Sequence, residues 1–173
     1  MSENYTRGIQ KILKLSKEIS LKMGHTYVGS EHILLSMLND NNGKASSTLI
    51  ALGCDIDSMI LTIKESLSSS NSSSTLGNLP LTRRAERILK NAYSEAEKDD
   101  KSIANQNHLL LSLSLEKDCT VNEVLISSSI DYTIIQSYLS SKENVKVIHK
   151  PHFNNKDKTS TLNLFSRNIS KLA

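Results

Sequence analysis

The stretch His32-Ile33-Leu34-Leu35-Ser36 returns 76 residues later as His108-Leu109-Leu110-Leu111-Ser112. Keeping that offset and working outward, Ile12-Leu13-Lys14 falls on Ile88-Leu89-Lys90 and Thr6-Arg7 on Thr82-Arg83. On the other side Leu49-Ile50 falls on Leu125-Ile126, and Asp55 on Asp131. The register holds without a gap from Thr6 to beyond Asp55, which chance rarely achieves. The chain therefore reads as two copies of one unit, over residues 4–67 and 80–142.

Each copy carries the pattern of four helices. Thr6 is a candidate N-cap, and Ile9, Ile12, Leu13, Ile19 and Met23 follow at near-helical spacing until Gly24 ends the run. Ser30 is expected to cap a second helix to about Leu38, with Glu31 in its first turn, where the helix dipole favours an anion. Residues 39–43 form a turn, and a third helix runs from Ala45 to Leu52 with Gly53 as its stop. Asp55 caps a fourth, carrying Ile56, Met59, Ile60, Ile63 and Leu67. The second copy follows with helices at 82–98, 106–115, 120–128 and from 131 to about 141. The expected fold is all-α, with two tandem four-helix repeats and about eight helices. Units of this size are marginal alone, so they should pack together about a pseudo-twofold axis. Only 6 Gly and 2 Pro in 173 residues argue against an all-β sandwich or barrel, which needs many turns.

The serine-rich run within 68–79 reads as a flexible linker, since it has nothing apolar to bury. Residues 143–173 read as a flexible basic tail. The formal net charge of +3 lies there: residues 142–173 hold 7 Lys+Arg against 2 Asp+Glu, whereas residues 1–141 hold 14 against 16. A nucleic-acid-binding face on the body is not expected, and the scattered tail lysines read as a solvated linker. The polar N-terminus lacks the layout of a secretory signal, and no apolar run is long enough to span a bilayer. Cys54 and Cys119 lie far apart with no CxxC, which suits a cytoplasmic chain with reduced thiols and no zinc site.

No catalytic constellation emerges. Gly43-Lys44 invites a phosphate-loop reading, but Leu38 and Ala45 stand where that motif needs Gly and Ser/Thr. His25 and His32 are seven apart, and Glu31-His32 is not HExxH. The recurrence of His32 as His108 at one repeat position favours a hydrogen-bonded structural role. The chain is therefore read as neither an enzyme nor a metalloprotein.

Two stretches carry a family resemblance: residues 24–35, GHTYVGSEHILL, and residues 79–89, LPLTRRAERIL. With Tyr5-Thr6-Arg7 opening the first copy, they resemble the Clp N-terminal double repeat, the domain that precedes the ATPase modules of ClpC-like and ClpA-like unfoldases. The tail segment 161–173, TLNLFSRNISKLA, resembles the lead-in to the first ATPase domain. The resemblance implies a docking platform for adaptor proteins and substrate polypeptides of a Clp ATPase/protease assembly. It implies no cofactor in this chain, with ATP and Mg acting only in a longer parent, and a monomer for this chain alone. It further implies phosphoarginine recognition, with the Glu of the Gly-Ser-Glu-His stretch facing the guanidinium and the Thr that opens the first helix lying nearby. By position these are Glu31 with Thr6 in the first repeat and Asn107 with Thr82 in the second. Asn107 brings no charge where Glu is expected, so one competent pocket at most is anticipated. The alternative is a stand-alone accessory subunit of the Clp protease assembly, against which the ATPase-like lead-in speaks.

Overall fold

The computed structural model describes residues 4–68 and 78–148. Eight helices occupy them: α1 (Arg7–Lys22), α2 (Ser30–Asn39), α3 (Lys44–Ala51), α4 (Ile56–Ser68), α5 (Arg83–Lys98), α6 (Gln106–Leu115), α7 (Thr120–Ser127) and α8 (Tyr132–Ile148). The expected all-α double repeat is the observed fold. Two positive-φ glycines, Gly24 at 74° and Gly53 at 85°, follow α1 and α3, as the sequence predicts for left-handed helix stops.

The helices follow their apolar positions. In α1 Ile9 and Ile12 are fully buried, and the same stripe continues through Ser16 and Ser20. The small serines let α1 approach α2: Ser16 Oγ donates to the Ile12 carbonyl at 2.7 Å and lies 3.0 Å from Ser36 Oγ. Both second helices are buried almost all round, from His32 to Leu38 in α2 and from His108 to Leu113 in α6. Such helices form the centre of a domain. Helices α2 and α6 pack on each other, on their own first helices α1 and α5, and on the opposite repeat's first helices. The pattern is twofold: α2 meets α5 and α7 as α6 meets α1 and α3.

The second turn of symmetry lies in the backbone. Two isolated parallel bridges, Tyr5 with Ala104 and Val28 with Leu81, join the repeats. Moving Tyr5 forward by 76 gives Leu81 and moving Ala104 back by 76 gives Val28, so one bridge becomes the other and the axis that the repeat implies is present.

Three expected boundaries shift. The first residue outside α2 is Gly29, and Ser30 lies inside the helix. Helix α8 continues to Ile148 rather than ending near Ser141, because no Gly or Pro interrupts it before Pro151. It thus enters the span expected to be tail. The compact unit that holds both repeats ends within α8, at Tyr138. Of the expected linker, Ser68 closes α4 and Leu79 is buried, while 69–77 lie outside the described residues. The lead-in segment 161–173 also lies outside them.

Candidate functional site

The bridges decide how the candidate residues are grouped. The amide of Thr6 donates to the Ala104 carbonyl at 2.9 Å, and the amide of Thr82 donates to the Val28 carbonyl at 2.9 Å. Thr6, at the head of α1, therefore adjoins the head of α6 in the other repeat. Thr82, at the head of α5, adjoins the head of α2. This corrects the grouping expected from sequence position: Thr6 lies beside the stretch containing Asn107, and Thr82 beside the one containing Glu31. Sequence comparison treats each repeat as a closed unit, whereas each head is completed by its partner repeat.

The two cradles differ in detail. Thr82 Oγ1 accepts from the Ala85 amide at 3.1 Å, an ordinary N-cap, while Thr6 makes no side-chain cap bond. Glu31 is half-buried in the first turn of α2, and its Oε2 accepts from Ser30 Oγ at 3.0 Å. That oxygen lies over Gly29, where a Cβ would sit only 3.0 Å away. In the other cradle Asn107 points to the repeat interface: its Oδ1 accepts from Thr48 Oγ1 at 3.0 Å. Asn107 is therefore already engaged with α3.

Gln106 occupies the position of Ser30 and fills the cradle of Thr6 and Asn107. Its Nε2 donates to the Gly8 carbonyl at 3.3 Å and to Asp40 Oδ2 at 3.1 Å, and its Oε1 accepts from the Ala45 amide at 3.3 Å. One side chain, 5% exposed, thus ties together α1, α3, α6 and the turn after α2. A surface pocket of about 410 Å³ remains beside it, lined by Thr6, Arg7, Lys11, Asn42, Lys44 and Asn105 among others.

Under each first helix lies a buried carboxylate. Lys11 Nζ bonds Asp40 Oδ1 at 2.8 Å, which holds the Asp40 carboxyl below its usual range, helped by Gln106. The pseudo-symmetric pair is Arg87 with Glu116, bonded through Nε to Oε1 at 3.0 Å. Arg84 Nε also lies 3.6 Å from Glu116 Oε2. Motif reading missed both these acids and Gln106. The signal was available, since 11/87 and 40/116 pair opposite charges in both copies at the offset of 76.

The recurring histidines cap helices. His32 Nδ1 accepts from the Gly29 amide and His108 Nδ1 from the Asn105 amide, both at 3.0 Å. Each is the third helical residue reaching back to the N-cap, the role Glu or Gln plays in a capping box. A ring nitrogen that accepts from an amide carries no proton, so Nε2 carries it in both rings. His32 donates it to His25 Nδ1 at 2.7 Å, and His108 to Asp99 Oδ2 at 2.9 Å. Burial, and then the neighbouring His25, lower the His32 pKa from 6.5 to about 4. Among the described residues no three His, Cys, Asp or Glu side chains are placed to hold a metal ion.

These features define a helical double-repeat domain, one unit duplicated, with the helix heads of each copy completed by the other. The chain belongs to the Clp repeat (R) N-terminal domain family, which matches residues 4–128. It is 28% identical over 179 residues to the chloroplastic chaperone protein ClpC of Pisum sativum, covering all of this chain and 19% of that one. The chain spans about a fifth of the length of the curated relatives it matches. Its fold is that of the ClpD N-terminal domain from Arabidopsis thaliana, with a TM-score of 0.65 at 15% identity, covering 82% of this chain and 96% of that one. The ClpV N-domain in complex with VipB peptide is also similar, with a TM-score of 0.59 at 12% identity, covering 73% and 79%.

Proposed function

We propose that this chain is the substrate- and adaptor-docking domain of a ClpC-like unfoldase, serving ATP-dependent protein degradation and quality control. Membership of the Clp repeat family over residues 4–128 carries this reading. A related fold described with a bound partner peptide supports it. The role asks for no cofactor in this chain; ATP and Mg would act in the ATPase modules of a longer parent.

The finer reading is recognition of phosphoarginine at the cradle shared by Glu31 and Thr82. A carboxylate pairs with guanidinium through two parallel hydrogen bonds, and the head of α5 offers amides and dipole to a phosphate. The Thr6 and Asn107 cradle is the weaker candidate. Gln106 fills it, and the Asn107 side chain is bonded to Thr48. The test is titration of the isotope-labelled chain with a phosphoarginine peptide. Shifts centred on Glu31 and Thr82 are expected, lost in Glu31→Ala and kept in Asn107→Ala. Unchanged signals around Glu31 would sink the phosphoarginine reading.

A further inference from the structure

The outer faces of α1 and α5 carry a second feature that the cradles do not use. Arg7, Lys11 and Lys14 lie at i, i+4 and i+7, so they share one exposed stripe about 10 Å long. At the offset of 76 they become Arg83, Arg87 and Lys90, also exposed. Further along the same stripe the copies diverge: Glu18 becomes Ser94, and Leu21 becomes Glu97. A merely solvated face would drift along its whole length. Here only the half near the helix head keeps its charge.

Helix stability does not account for that charge. The head of a helix is its positive end, and basic residues there are unfavourable. Like charges at i, i+3 and i, i+4 repel by a few tenths of a kcal/mol per pair. Yet α1 has no acidic residue in its first turn, and α5 opens with Arg83 and Arg84 against the single acid Glu86. Lys11 and Arg87 are each aimed by a buried acid, Asp40 and Glu116, while remaining more than half exposed. Among the described residues Arg7, Lys14, Arg83 and Lys90 take part in no ion pair.

We propose that the two stripes dock an acidic polypeptide segment of a partner protein, one segment per stripe. This rests on the docking reading above and names the chemistry of the partner, independently of phosphoarginine. A polypeptide fits better than nucleic acid because acids stand among the bases: Glu18 in the first stripe, Glu86 beside the second, and Asp40 and Glu116 beneath them. A continuous phosphate backbone would meet these acids, whereas a short run of Asp and Glu side chains meets the basic positions singly.

The experiment uses the full chain and a labelled twelve-residue Asp/Glu peptide, titrated by fluorescence anisotropy at low and at physiological salt. The expected result is saturable binding that weakens with salt. At low salt Arg7→Glu/Lys14→Glu and Arg83→Glu/Lys90→Glu should each weaken binding at least tenfold, and Lys64→Glu on α4 less than twofold. All these positions are exposed, and circular dichroism verifies that each variant is folded. Equal loss in Lys64→Glu, no binding by the wild type, or tighter binding of single-stranded DNA than of the peptide would each overturn the proposal. A near-neutral unfolded polypeptide serves as the second probe. If it binds wild type and stripe variants alike while the acidic peptide fails, the docking reading stands and the stripe falls. If neither probe binds, both fall.

Discussion

The Thr82 amide donates to the carbonyl of Val28 at 2.9 Å, so the helix that opens the second repeat is fastened to the strand-like turn of the first. Its image, Thr6 on Ala104, fastens the first repeat to the second. Neither head is complete within its own copy. With α2 and α6 packed on each other and on both first helices, separation of the repeats would expose much of the core. The chain should therefore unfold in urea as one cooperative transition, coincident by circular dichroism and by tyrosine fluorescence. A fragment of residues 1–77 should show no such transition. Two resolved transitions would mean that the repeats are independent.

The two threonines should differ as caps. Thr82 Oγ1 accepts from the Ala85 amide, whereas Thr6 makes no such bond. Thr82→Ala should cost about 1 kcal/mol of stability and Thr6→Ala only a few tenths. Urea midpoints at unchanged m-value measure both. Equal losses would contradict the difference in cap geometry.

Much of this fold was legible in the sequence because helices are local. Apolar spacing in α1 and α5, the glycines after α1 and α3 and the aspartate before α4 lie within a few residues of the turns they shape. The Asp55 cap is observed, with Oδ1 accepting from the Ser58 amide at 3.3 Å. The candidate site was less legible because its parts are remote in sequence. Thr82 and Val28 are brought together by repeat packing, and no local pattern records that. Gln106 stands where the first copy has Ser30, and nothing near it in sequence records what it bonds. Its role depends on Gly8, Asp40 and Ala45, which only the folded chain brings to it.

That cluster leads to a further prediction. Gln106→Ala would leave the Ala45 amide without its side-chain acceptor and remove one donor from Asp40, with an expected loss of about 2 kcal/mol. Gly43→Ala tests the same packing from the other side. Its Cβ would fall 2.7 Å from Gln106 Oε1 and 2.8 Å from Asp40 Oδ2, so Gln106 must move. Both variants should lower Tm in calorimetry. Combined, they should cost less than the sum, because each disrupts the same bonds. Additive losses would show that Gln106 and Gly43 act separately.

The buried imidazole of His32 sets an acid-side limit on stability. Its pKa is about 4 in the folded chain, against 6.5 ordinarily. Between those values the unfolded chain binds a proton that the folded chain refuses, so unfolding becomes easier as pH falls. The contribution is fully present above pH 6.5 and is lost progressively toward pH 4, on the order of 3 kcal/mol. Asp40 adds its own loss lower down. Its carboxyl is held below the usual range by Lys11, so that stabilisation vanishes only as pH falls through its folded pKa. The Tm should therefore drop already between pH 7 and pH 5, before carboxylates protonate. His32→Gln keeps an acceptor for the Gly29 amide but no proton to gain, and should flatten the profile in that window while leaving the steeper fall below pH 4. A wild-type Tm that is level from pH 7 to pH 5, or a His32→Gln profile parallel to wild type, would show that His32 is not the group responsible.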